Sequence, residues 1–307
     1  MQTSQVGDGI FRVTFPLPFG IEHVHCYAVE SGDGWLIVDT GLGVGDAEER
    51  WIAALEELGG AVERIFVTHF HPDHVGAASV VERLTGAPVS QGREDYRQCV
   101  STWGRRESPD ILAAYMVEHG LSREDADTMR DEATALSQFV KFARDPEPVD
   151  EGDEVDGWRV VQLPGHADGH LCLLRDGVLI AGDALLATIS PNVGLYPESR
   201  PDPLGDYLVS LERIVELAPS IAFGGHGPTI DDPPVRAREL IEHHEERLAV
   251  TSDAVDRPRT AYEVSLRLFP EDLAPVQRRF ALAETLAHLE HLALRGRIHR
   301  DGSRYAP

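Results

Sequence analysis

One stretch constrains this chain more than any other: Thr68-His69-Phe70-His71-Pro72-Asp73-His74-Val75-Gly76, directly after an apolar segment ending at Val67. Three imidazoles and a carboxylate fall within six residues. A spacing of two sets His69 and His71 on one side of an extended segment, where both can face one ion. Asp73 and His74 open the turn into the next helix and can face a second. Packing does not explain such a run. Clustered imidazoles each need a separate hydrogen-bond partner, whereas a metal satisfies them together.

Three later residues follow strand-like runs and sit beside glycine: His166 in Leu163-Pro164-Gly165-His166, Asp183 in Ile180-Ala181-Gly182-Asp183, and His226 in Gly224-Gly225-His226-Gly227. Glycine lets the backbone approach a crowded site closely. Each residue alone is more often structural; together, and after the first cluster, they point to one metal centre.

The surrounding elements are short. Ile10–Phe15, His23–Val29, Trp35–Val38 and Arg64–Val67 read as strands between Gly- and Pro-containing turns. Asp46 is placed to cap a helix running to about Leu58. A helix near Val75–Leu84 and a strand at Pro88–Ser90 follow the His-rich loop. Residues 92–150 interrupt the alternation with helices at Glu94–Arg105, Pro109–His119 and Ser122–Ala143, the last opening on Ser122 with Asp125 at the capping position. Strands return at Trp158–Leu163, Leu171–Arg175 and Val178–Ala181, then a helix at Leu204–Leu217 and a strand at Ile221–Phe223. Beyond Gly227 the chain reads as helices at Pro233–Thr251, Thr260–Leu268 and Pro275–Arg295. Leu282, Leu286, Leu289 and Ala293 form an apolar stripe on the last helix, and a hairpin turns around Asp301-Gly302. Such an order implies a layered α/β or α+β domain.

Charge narrows the partners. The 307 residues carry 52 acidic against 28 basic side chains, with Lys141 the only lysine. A surface this acidic repels phosphate backbones and anionic membranes. The imbalance is local: residues 1–232 hold 40 acidic and 16 basic groups, while residues 233–307 hold 12 of each. Hydrophobic content of 42% with 26% charged residues argues against disorder. Cys26, Cys99 and Cys172, odd in number and widely spaced, read as buried small hydrophobes and not as a disulfide framework. Met1 to Phe19 lacks a leader pattern, and no apolar run of membrane-spanning length occurs. A cytoplasmic location is the expectation.

The ordered set His-x-His-x-Asp-His, then His, Asp and His, resembles the metallo-β-lactamase superfamily over about residues 8 to 232, with all seven positions present. The resemblance implies an α+β fold, an αββα sandwich of two facing sheets with helices outside. It implies a catalytic domain at 1–232, carrying the 92–150 helical insertion as a lid or pocket wall. Residues 233–307 would form a small helical domain, whose part from about 258 to 303 is similar to the winged-helix-like segment of lactamase-β-2-like proteins. By the same resemblance, His69, His71 and His166 bind one metal, Asp73, His74 and His226 a second, and Asp183 bridges them. The cofactor expected is a pair of divalent ions, zinc first, with iron or manganese also suited to mixed N/O ligands. His71 stands where di-iron oxygen- or nitric-oxide-reducing branches carry Glu, which favours hydrolysis. Asp39, in Val38-Asp39-Thr40-Gly41, matches a position that supports the site from behind; its other reading is a turn-forming Asp.

Within the superfamily the chain looks most like the glyoxalase-II-like thioesterase branch, on His23-Val24-His25-Cys26-Tyr27 and on Leu163–His170. The expected activity is hydrolysis of a small thioester, ester or lactone by a metal-bound hydroxide, with Asp73 and His71 catalytic and Asp73 orienting the hydroxide or moving its proton. A phosphodiesterase or ribonuclease is the rival enzyme. A metal-binding DNA regulator is the rival of another class, drawing on Arg278, Arg279, Arg295, Arg297, Arg300 and Arg304. The tail is expected instead to pack on the lid, enclose the pocket or mediate homodimerisation. In the insertion, Trp103, Tyr115, Met116, Met129, Phe139 and Phe142 read first as self-packing. His170 reads as structural, His243-His244 as a solvated helix face, and Tyr196 as a candidate substrate or oxyanion contact.

Overall fold

A computed structural model of the chain describes residues 3–18 and 22–307. The leader-free reading of Met1 to Phe19 and the domain start at residue 1 fall partly outside the described residues.

Strands β1 (Thr3–Gly7), β2 (Ile10–Pro16), β3 (His23–Ser31), β4 (Gly34–Val38), β5 (Val62–Val67), β6 (Val89–Gly92) and β7 (Glu147–Val149) form one sheet in chain order. A second sheet has the order β12-β11-β10-β9-β8, from β8 (Glu154–Val155), β9 (Trp158–Gln162), β10 (Leu171–Arg175), β11 (Val178–Gly182) and β12 (Ile221–Gly224). Period-two alternation decides which faces meet. Tyr27, Val29, Leu36, Val38 and Phe66 of the first sheet share one core with Val160, Leu171, Leu173, Ile180 and Phe223 of the second. Their neighbours Cys26, Ala28, Ile37, Ile65 and Val67 face outward into a separate core. Helices α1 (Ala47–Leu58), α2 (Pro72–Val75), α3 (Ala78–Thr85) and α4 (Arg93–Trp103) cover that face. The αββα sandwich is therefore present.

The second sheet's outer face joins a larger core. Val161, Leu163, Cys172, Leu179 and Ala181 pack with α5 (Ser108–Glu118), α6 (Arg123–Ser137), α7 (Pro203–Leu217), α8 (Pro233–Ala254), α9 (Ala261–Leu268) and α10 (Pro275–Leu294). Met116 and Met129 of the insertion thus lie in one core with Leu282, Leu286 and Leu289 of the C-terminal segment. A small sheet, β13 (Arg259–Thr260), β15 (Arg304–Ala306) and β14 (His299–Asp301), supplies the wing. No helix among the described residues is long and apolar enough to cross a membrane.

Several expectations need correction. The helix expected near Val75–Leu84 is broken into α2 and α3, because tertiary partners take its carbonyls: Thr40 bonds to His74 O and the Lys141 N–H to Gly76 O. The helix expected over Ser122–Ala143 stops at Ser137. Beyond it, Lys141 pairs through its backbone with Gly76 and Ser79, and Val140, Phe142 and Ala143 enter the core. Asp46 precedes α1, but its carboxylate pairs with Arg50 and makes no cap. Helix α10 is buried well beyond its Leu stripe, since α6, α7, α8 and α9 all pack on it. His244 is buried, not solvated, with its ring against Tyr207. The three cysteines are free and buried, as expected.

Candidate metal centre

The centre forms where strands end. β4 and β5 run parallel, and so do β11 and β12. Their carboxyl ends deliver Asp39, Thr68-His69, Asp183 and the Gly224–His226 turn to one rim of the sandwich. The turn after β9 adds His166, and α2 adds Asp73 and His74. Two glycines make the approach feasible. A Cβ on Gly225 would lie 2.4 Å from Asp183 Oδ1 and 2.5 Å from His74 Cε1. Gly182 has φ +48°, and a Cβ there would lie 2.8 Å from Thr68 Oγ1.

All seven expected side chains converge. His71 Nδ1 lies 3.1 Å from His69 Nε2 and 2.8 Å from His166 Nε2. Asp183 stands between the two halves: Oδ2 is 3.6 Å from His166 Nε2 and 3.3 Å from His226 Nε2, and Oδ1 is 3.5 Å from His74 Nε2. Asp73 Oδ2 is 3.3 Å from His226 Nε2 and 3.9 Å from His74 Nε2. Three donor groups result, each with its ligand atoms within 4.8 Å: His69, His71 and His166; His69, His74 and Asp183; Asp73, His74 and His226.

The outward ring nitrogens fix which atom faces in. His74 Nδ1 donates to Asp39 Oδ2 at 2.7 Å, His166 Nδ1 to the Asn192 carbonyl at 2.8 Å, and His226 Nδ1 to the His23 carbonyl at 2.6 Å. The Thr68 hydroxyl donates to Asp39 Oδ2, so its oxygen accepts from His69 Nδ1 at 3.0 Å. A neutral ring that donates from Nδ1 carries its lone pair on Nε2. Four imidazoles therefore present Nε2 inward, and His71 presents Nδ1.

Protons alone leave this set poorly satisfied. A proton on His71 Nδ1 serves one of its two neighbours and leaves the other lone pair facing it. His74 Nε2 and Asp183 Oδ1 are buried and make no hydrogen bond. Burial, then the neighbouring imidazoles, holds His69 and His71 well below the ordinary histidine value, and burial lowers His166. At His74 and His226 burial is outweighed by carboxylates, Asp183 foremost, and both are raised, His226 to about 10. Burial pushes Asp73 up, but His74 and His226 outweigh it and hold its carboxyl at about 2. One side of the site offers lone pairs and the other demands positive charge, which is what a pair of cations meets.

The supporting residues were only partly foreseeable. Asp39 has φ +61°, so it is a turn residue, and its carboxylate also takes the Thr68 N–H and the His74 ring. His170 is structural: it stacks on His69 at 4.6 Å and accepts the Asp183 N–H at 3.1 Å. Tyr196 lies on the Asn192 loop with its ring against Gly194. Two residues of α4 support the site in a way the sequence does not announce: nothing singles out Asp95, and Trp103 reads only as self-packing. Asp95 accepts the Phe70 N–H at 2.9 Å and Trp103 Nε1 donates to the Phe70 carbonyl at 2.7 Å. The insertion thereby clamps the peptide groups between His69 and His71. Of its other apolar residues, Met116, Met129 and Phe142 are buried, Tyr115 is partly buried and Phe139 is exposed.

Residues 20–226 match the Metallo-beta-lactamase superfamily, and residues 248–305 match the Metallo-beta-lactamase-like, C-terminal domain. The chain belongs to that superfamily and is a metallo-hydrolase. It is similar to the metallo-beta-lactamase family protein TTHA1429 from Thermus thermophilus, with TM-score 0.85 and 37% identity over 97% of this chain and 98% of that one. The probable metallo-hydrolase YqjP of Bacillus subtilis (strain 168) is 28% identical, covering 93% of this chain and 92% of that protein. An atrochrysone carboxyl ACP thioesterase of Passalora fulva is 22% identical, covering 87% of this chain and 69% of that protein.

Proposed function

We propose that this metallo-hydrolase holds two divalent ions, zinc first, and hydrolyses a thioester, ester or lactone of a small acyl substrate. His69, His71 and His166 would hold one ion and Asp73, His74 and His226 the other, with Asp183 available to both. The observation that carries the reading is the inward-facing donor set of five imidazole nitrogens and two carboxylates, with the rings of His69, His74, His166 and His226 each bonded through the outer nitrogen. When bound, such a pair supplies Lewis-acid polarisation and generates a nucleophile from water near neutral pH. The chain's residues do the rest. Asp73 is a carboxylate that His74 and His226 hold ionised, and it orients the attacking water by accepting its hydrogen bond. His71 presents Nδ1 between His69 and His166 and completes that half of the donor set.

The acyl class is supported by a thioesterase among the relatives. It is also supported by the acidity of residues 1–232, which disfavours a polyanion. Four of the six tail arginines are engaged: Arg278 with the Pro270 carbonyl, Arg295 with Asp202, Arg300 with Glu290 and Arg304 with Glu263. The test is metal analysis coupled to a panel of thioesters, esters, lactones, β-lactams, phosphodiesters and single-stranded RNA. Two metals per chain with fastest turnover on an acyl substrate is the expected result. Cleavage confined to phosphodiesters would overturn the substrate class, and a folded protein that takes up no metal would overturn the whole reading.

A further inference from the structure

The C-terminal segment reaches the metal centre by a short chain of contacts. The His166 ring donates from Nδ1 to the Asn192 carbonyl at 2.8 Å. The Asn192 side chain donates to Glu284 Oε2 of α10 at 3.4 Å. Three residues on, the Leu195 N–H donates to the Ala283 carbonyl of the same helix at 3.0 Å. Between them Gly194 lies so close to α10 that a Cβ would stand 3.0 Å from Ala283 Cβ. Glu284 is itself held from behind, with Arg247 of α8 3.4 Å from its Oε1. His288 Nδ1 donates to the Glu284 carbonyl at 2.8 Å.

We infer that α10 orients His166 through the Asn192–Leu195 loop, with Glu284 the positioning residue. His166 comes from the turn after β9 and has no other hydrogen-bond partner on its outer nitrogen among the described residues. The Asn192 carbonyl therefore decides the tautomer of that ring, and the direction of the carbonyl is decided by what holds its residue. On one side that is Glu284, on the other the Leu195–Ala283 bond. The C-terminal segment is thus part of the metal centre's supporting layer, and outer partners of this kind set the orientation and strength of the ligand they bond. The inference rests on His166 serving as a metal ligand, as proposed above.

The test compares the full-length protein with Glu284→Ala, Glu284→Gln and Asn192→Ala. Competition with a chromophoric chelator reads the affinity of each of two zinc equivalents, and the cobalt-substituted protein reports ligand geometry by its absorption spectrum. Glu284→Ala and Asn192→Ala are expected to weaken one equivalent by about 10- to 100-fold and leave the other within a few-fold. Glu284→Gln, whose amide oxygen still accepts from Asn192, is expected to restore most of that loss. The double variant should be no worse than either single one, since both cut the same link. Two unchanged affinities with an unchanged cobalt spectrum in folded Glu284→Ala and Asn192→Ala would overturn the inference. A parallel measurement needs no metal: histidine-ring 1H–15N spectra of the metal-free protein should show His166 as the Nδ1–H tautomer, and a mixture in Glu284→Ala. A single unchanged tautomer there would overturn the positioning role even if the native protein bound no ion. Failure of the native protein alone to bind two ions would count against the proposed function instead.

Discussion

Asp39 Oδ2 accepts the His74 Nδ1 proton at 2.7 Å, and the same carboxylate takes both the N–H and the hydroxyl of Thr68, each at 2.8 Å. One residue in a left-handed turn thus ties the end of β4 to the end of β5 and sets the ring that faces Asp183. The turn and the charge can be separated. Asn tolerates the left-handed conformation, so Asp39→Asn should fold with a near-native melting temperature yet bind metal about 10- to 100-fold more weakly. Asp39→Ala should lose both. Equal metal affinity in Asp39→Asn and the native protein would reduce Asp39 to a turn former.

Metal removal should be visible as stability. A ligand present at about 1,000 times its dissociation constant stabilises a fold by roughly 4 kcal/mol. Dialysis against a chelator should therefore abolish hydrolysis and lower the melting temperature, and two equivalents of zinc should restore both. Calorimetry with and without chelator checks this; an unchanged melting temperature would argue that the cluster holds no ion tightly.

Gly225→Ala tests the close approach of backbone to ligands. The added methyl would sit 2.4 Å from Asp183 Oδ1, so that carboxylate or the His74 ring must move. The expected outcome is a folded protein that retains fewer than two metals, with hydrolysis reduced by at least about 100-fold, as displacement of catalytic groups by about 1 Å can do. Metal content after gel filtration and kcat on the best acyl substrate give the answer.

Away from the centre, His244 and His288 predict the acid limb of the stability curve. Burial, aided by neighbouring cationic groups, lowers His244 to about 3, and burial foremost lowers His288 to about 4. Unfolded histidine titrates near 6.5. Between those values the unfolded chain binds protons that the fold refuses, so stability falls as pH drops below 6.5 and is unaffected above it. For His288 the full loss is roughly 3 kcal/mol. Replacing His244 by Phe should flatten the fall between pH 7 and 5, measured as the difference between variant and native denaturation curves of metal-free protein. Parallel curves would show that the buried pair does not drive the loss.

The amino-acid sequence by itself determined the chemistry. A run of three imidazoles and a carboxylate in six residues, with glycine-flanked His166, Asp183 and His226 after it, has few uses other than a metal pair, because ligand type and local spacing are short-range facts. β-rich runs between Gly- and Pro-containing turns likewise marked most of the strands, since strand preference and turn chemistry are local. Only the tertiary structure decided where helices stop and what lies behind the ligands. α2 parts from α3 because Thr40 and Lys141 bond to its carbonyls, and no pattern in Val75–Leu84 announces partners 34 or more residues away. His244 looked like a solvated residue because only the packing of Tyr207 and His288 against α8 buries it. The supporting roles of Asp95, Trp103, Asn192 and Glu284 were silent for the same reason. Each residue acts through bonds to a backbone or side chain far along the chain, and such bonds leave no periodicity to read.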